Sequence, residues 1–141
     1  MKVLEAALAI STPDLQARLR GFIGRPQHAT LHNPGYWAVS NPWDVTFQNC
    51  NEFVLNVLHE AIYQRNDVER LRALVRTYFV SHTLEVNSRR LFFGTLIPPD
   101  VRTIDHHDGE LRTATYGWLV SYLEQYDLLA EQFVLRGDDI R

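Results

Sequence analysis

The run Phe47-Gln48-Asn49-Cys50-Asn51-Glu52-Phe53 constrains this chain more than any other stretch. An extended segment turns into a helix there, and the turn carries the only cysteine. Asn49 reads as an N-cap, because its short amide side chain accepts a backbone N–H of the first turn. Glu52, three residues on, reads as the capping-box partner. Cys50 is then the first helical residue. It meets unpaired N–H groups and the positive end of the helix dipole, which favour a thiolate. A nucleophilic cysteine is often presented this way, and a small buried residue fits the same place.

The helix that follows has the clearest pattern in the sequence. Phe53, Val54, Val57, Leu58, Ala61 and Ile62 recur at spacings of three and four and define one apolar face. Cys50 precedes Phe53 and Val54 by three and four residues, so the thiol is expected to point at the core or a cleft floor. His59 falls beside the stripe as a boundary residue, too far along the helix to touch the thiol.

The rest of the chain is read around that helix. Residues 3–10 are expected to form a largely buried strand or a strand leading into the core. Ser11-Thr12-Pro13-Asp14 starts a helix with Leu15, Leu19, Phe22 and Ile23 as its stripe. Residues 24–35 read as a loop, 36–40 as extended, 41–44 as a turn and 45–47 as a short strand. Asn66-Asp67 opens a helix carrying Leu71, Leu74, Val75 and Tyr78. Strands are expected at 83–86, 101–104 and 131–136, a short helix at 88–93, and a break at Pro98-Pro99. Thr113 or Thr115 caps a last helix with Tyr116, Leu119, Val120 and Leu123. The expected fold is a single α+β domain over residues 1–141, helices packed on a small sheet.

The 141 residues suffice for one domain with a real core. A net charge of −3, with no long run of either sign, lacks the basic footprint of a nucleic-acid binder. No apolar run reaches the roughly 18 residues of a membrane span. The apolar start carries Glu5 and leads straight into a helix, so it reads as a strand and not as a signal peptide.

Thiol hydrolysis needs a thiolate, a base, a group that orients the base, and oxyanion donors. Cys50 supplies the first, and the helix start part of the last. The histidines offer no spacing that fixes the base. His28 and His32 lie in the loop before the cysteine. His106 and His107 stand between Asp105 and Asp108, where a carboxylate can orient either, and the plainer reading of each is a solvated turn histidine. No metal or cofactor is expected. His28 and His32 have zinc spacing only in a helix, which Asn33-Pro34 opposes, and adjacent side chains such as Asp105 to Asp108 rarely converge on one ion.

Asn49-Cys50-Asn51-Glu52-Phe53 resembles the Asn-Cys-x-x-Phe helix start of circularly permuted papain-like proteins, the lecithin-retinol acyltransferase-like and NlpC-type groups. A longer similarity is to an uncharacterised bacterial family, domain of unknown function 2145. Glu5-Ala6, Pro13 to Leu19, His32 to Tyr36, Asn41-Pro42-Trp43, Gln48 to Leu55 and Asp105-His106-His107 carry it. These resemblances imply part of a permuted papain-like fold. They also imply a thiol hydrolase or acyltransferase acting on an amide or ester of a small molecule, peptide or lipid acyl group, with Cys50 as nucleophile. Members of that family usually begin with an export signal, which implies the periplasm, and carry an upstream histidine as the partner of the cysteine. The chain is therefore expected to be the C-terminal part of a longer architecture. Its base would come from a missing N-terminal segment, a partner chain, His32 or His107. The alternative expectation is a non-catalytic papain-like remnant, a binding or oligomerisation domain with an uncovered edge, for which Tyr36, Trp37 and Trp43 are candidate surface residues.

Overall fold

The structure is a computed structural model that describes residues 5–64, 67–84, 104–106 and 110–137. Its elements run β1 (Glu5–Ser11), α1 (Pro13–Ile23), a 3-10 helix (Pro26–Leu31), α2 (Cys50–Tyr63), α3 (Val68–Tyr78), β2 (His82–Leu84), β3 (Leu111–Thr113), α4 (Tyr116–Gln125) and β4 (Leu129–Arg136). This is an α+β arrangement in which helices outweigh small antiparallel sheets.

Local chemistry explains most boundaries. Pro13 opens α1 in its first turn, where a missing N–H costs nothing. Asp67 caps α3 by accepting the N–H groups of Glu69 and Arg70 at 3.0 and 3.3 Å. Asn49 caps α2, its Oδ1 accepting the Glu52 N–H at 2.8 Å. α2 ends at Gln64, which takes a left-handed conformation at φ 54°.

The helices build the core. Leu15, Leu55, Leu58, Val75, Phe79, Leu119, Tyr122 and Leu123 pack where α1, α2, α3 and α4 meet. A second cluster, Phe22, Leu31, Val57 and Leu71, joins α1, the 3-10 helix, α2 and α3.

The strands depart from expectation. β1 pairs antiparallel with β4 as a two-stranded ribbon, with Leu8 opposite Phe133 and Ala6 opposite Leu135. β1 is not the largely buried strand that its apolar run suggests: residues 5–8 are exposed and 9–11 only half-buried. A two-stranded ribbon buries less of each strand than a strand inside a wider sheet, so apolar composition alone does not bury it. β2 pairs with β3 over His82 to Leu84, starting one residue before the expected strand at 83–86, whose residues 85 and 86 lie outside the described residues. The expected strand at 45–47 is absent, and the segment pairs only through a single parallel bridge between Tyr36 and Gln48. The expected loop at 24–35 contains the 3-10 helix. Ile104 lies in an exposed turn. Residues 101–103, the helix at 88–93 and the break at 98–99 lie outside the described residues.

Candidate functional site

The loop before α2 is fastened by amide side chains. Gln48 donates through Nε2 to the Leu31 carbonyl at 2.9 Å, and its Oε1 accepts the Asn33 N–H at 2.9 Å. Asn33 returns the link by donating through Nδ2 to the Val45 carbonyl at 2.8 Å. Gly35 sits inside this clasp. A Cβ there would lie 3.1 Å from Asn33 Oδ1 and 3.2 Å from the Thr46 carbonyl, so any larger residue would have to push the clasp apart by a few tenths of an ångström. Asn49 then ties the helix start to β3, donating through Nδ2 to Thr113 Oγ1 at 2.9 Å.

Cys50 is the first residue of α2, and it is exposed. This corrects the expected inward-facing thiol. Val54, one turn on, is 45% exposed, and Phe53 is half-buried. The buried residues of α2 are instead Glu52, Leu55, Asn56, Val57, Leu58, His59 and Ala61. The apolar stripe misplaced the inner face because three polar side chains at helical spacing, Glu52, Asn56 and His59, are also buried.

A buried network permits this. The Ser40 hydroxyl donates to Glu52 Oε1 at 2.7 Å. Arg72 Nη2 lies 3.6 Å from Glu52 Oε2, while Arg72 Nη1 donates to the Pro42 carbonyl at 3.1 Å and Asn56 Oδ1 at 3.4 Å. Burial pushes the Glu52 carboxyl up to about 7; Arg72, the Ser40 hydroxyl and the Asn49 backbone pull it down, and Asp105 pushes it up. The carboxyl accepts the Ser40 hydroxyl and also draws on the Asn49 backbone N–H, the group that the expected capping box pairs with it. Arg72 and Ser40 had no place in the sequence reading. Their signal was the polar stripe itself, which needs a buried cation opposite.

The histidines separate by role. His32 is exposed, and its ring meets the Phe53 ring edge-on at a centroid distance of 6.2 Å. Phe53 lies three residues from Cys50, on the same flank of α2. No hydrogen bond joins His32 to Cys50 among the described residues. His59 is fully buried, correcting its boundary placement, and touches the rings of Tyr63 and Tyr122 at 5.6 and 5.2 Å. Burial drives its imidazole down to about 4. His106 is also buried, not a solvated turn residue: Nε2 lies 3.0 Å from the Val39 carbonyl, and Nδ1 lies 3.1 Å from the Glu110 carbonyl and 3.3 Å from the Arg112 backbone nitrogen. Both ring nitrogens engage backbone groups, so His106 pins the loop. His107 lies outside the described residues. Tyr36 is exposed, whereas Trp37 and Trp43 are half-buried.

Among the described residues, no three His, Cys, Asp or Glu side chains converge as a metal site, and no helix is long and apolar enough to cross a membrane. Residues 1–123 match a family described as "Uncharacterized protein conserved in bacteria (DUF2145)". No curated protein and no solved structure matches the chain.

Proposed function

The chain belongs to this family of uncharacterized bacterial proteins, and we propose that it is a papain-like thiol hydrolase or acyltransferase acting on an amide or ester. The observation that carries the reading is the exposed Cys50 thiol at the first position of α2, with the His32 imidazole packed on Phe53 along the same flank. Cys50 Sγ attacks the substrate carbonyl carbon, a carbon–sulfur bond forms, and the leaving group departs with a proton. Free N–H groups of the first turn of α2 stabilise the oxyanion. Water or an acceptor nucleophile then breaks the thioester and restores the thiol. His32 is the base candidate among the described residues, and His107, an upstream segment or a partner chain are the other sources.

The experiment is intact-mass analysis after incubation with a p-nitrophenyl ester. An acyl adduct on Cys50 that turns over is expected. Cys50→Ala should form none, and His32→Gln should slow both formation and turnover. A wild-type protein that accumulates no adduct, or a Cys50→Ala protein that releases nitrophenol equally fast, overturns the reading.

A second reading, a non-catalytic binding or oligomerisation domain, is favoured by one observation. The β1–β4 ribbon presents Leu8 and Phe133 side by side at 36% and 42% exposure. Sedimentation velocity tests it. A concentration-dependent dimer lost in Phe133→Glu is expected, and a monomer at every concentration counts against it.

A further inference from the structure

The buried polar cluster beneath the first turn of α2 joins four segments. Glu52 reaches the 40–43 loop through Ser40 and faces α3 through Arg72. The loop is held from its other side by Asp105, whose Oδ2 accepts the Asn41 N–H at 2.7 Å and whose carbonyl accepts Asn41 Nδ2 at 2.9 Å. A carboxylate can accept about four hydrogen bonds. Glu52 has the Ser40 hydroxyl as donor to Oε1 and the Asn49 backbone N–H nearby, short of the four it could accept, and Oε2 has no hydrogen-bond partner among the described residues.

The surrounding charges do not make good the deficit. Arg72 stands off at 3.6 Å and directs Nη1 to Pro42 and Asn56 instead. Asp44 competes for its charge, and Asp105 opposes a charge on Glu52. His106, 3.5 Å from Asp105, is bound to backbone groups, and the buried His59 ring stays neutral. The closed cluster therefore suits a neutral carboxyl, and an ionised one gains by meeting water. Solvent is close: a cavity of about 270 Å³ lined by Trp43, Asp44, Glu69, Arg72 and Arg76 lies beside Arg72.

We propose that Glu52 is a proton-operated latch: protonated, it keeps the 40–43 loop closed on the first turn of α2, and on ionisation the loop opens to let water reach the carboxylate. The upward displacement of its titration to about 7 accords with this, since a closed form that binds the proton more tightly must lose population when the proton leaves. The latch stands apart from the thiol reading, because none of its readouts involves Cys50.

Hydrogen exchange measured by NMR between about pH 5 and about pH 8 tests it. The Asn41 and Trp43 amides bond to Asp105 Oδ2 and Asn41 Oδ1 and report the loop. The Thr12 amide, bonded to the Leu128 carbonyl, reports the distant β1–β4 end. Protection factors of the two loop amides should fall by at least about tenfold, with a limit of about 70-fold over this pH range for a titration displaced from 4.5 to about 7. Thr12 should hold constant, and Glu52→Gln should abolish the dependence. Constant loop protection in the wild type, or an equal fall in Glu52→Gln, overturns the latch. A carbon-13 titration of the wild-type Glu52 carboxyl needs no variant: a midpoint near 7 supports the proposal, and one at about 5 or below overturns it.

Discussion

Glu52 and His59 lie seven residues apart on the buried side of α2, both with no exposed surface, and burial moves their titrations in opposite directions. Glu52 is raised from 4.5 to about 7, so the folded chain holds its proton where the unfolded chain has lost it. Stability from this group is complete below about 4.5 and is lost as pH rises toward 7. His59 is lowered from 6.5 to about 4, so its contribution is complete above 6.5 and is lost as pH falls toward 4. Each amounts to roughly 3 kcal/mol. Between pH 4.5 and 6.5 the two slopes cancel. Urea denaturation across that window should be nearly flat for the wild type. His59→Leu should expose a fall in stability with rising pH, and Glu52→Gln a rise. A wild-type profile with a steep slope, unchanged in both variants, contradicts this.

Arg72 and Glu52 are worth more to each other than to the fold. Arg72→Met takes the cation from beside the ionised carboxylate and should cost stability at pH 8, though less than the roughly 3–5 kcal/mol of a sealed pair, because water reaches the carboxylate once the loop opens. The cost should shrink at pH 5, where Glu52 carries a proton. The double variant Glu52→Gln/Arg72→Met removes both charges and should recover most of the loss. Equal penalties for the single and double variants would show that the pair is not coupled.

Asn49 performs two tasks that different substitutions separate. Asn49→Ala removes the cap and the tie to Thr113, and should cost roughly 1–2 kcal/mol. Asn49→Asp keeps an acceptor for the Glu52 N–H and loses the donor to Thr113. Its stability should fall between wild type and Asn49→Ala in urea denaturation, and an Asp variant as weak as the Ala variant would mean that the cap contributes little.

Gly35→Ala should destabilise by roughly 1–3 kcal/mol, because its methyl group meets the Thr46 carbonyl inside the Gln48–Asn33 clasp. Gly21, where a Cβ meets nothing within 4 Å, is the control, and Gly21→Ala should be neutral or slightly stabilising. Comparable losses at both positions would remove the steric explanation.

The Cys50 thiol should react with a bulky disulfide reagent in the native protein, without waiting for unfolding. Adding denaturant should change the rate little, since the residue is already exposed. A reaction that proceeds only in urea would restore the inward-facing reading.

What the sequence disclosed was local. Asn49 and Asp67 mark helix starts by accepting N–H groups of the first turn and Pro13 by its fixed φ, and all three starts stand where those residues place them. Periodicity failed where burial was not apolar. The inner side of α2 includes Glu52, Asn56 and His59, and their burial depends on Arg72 and Ser40, partners supplied from distant positions. The same limit applies to Asp105 and His106, whose turn-like sequence conceals bonds to Asn41 and Val39. β1 erred the other way: its aliphatic run promised a core strand, and whether a strand is covered depends on what lies above the sheet.

The ribbon also sets an order of events during synthesis. β1 is made well before its partner β4, which ends at Arg136, opposite Glu5. At about 5–20 residues per second, β1 waits several seconds or more for its mate. α1, α2 and α3 meet through much shorter separations and can assemble meanwhile. β1 therefore goes without its ribbon partner for that interval, which makes the late arrival of β4 a window for pairing with another chain.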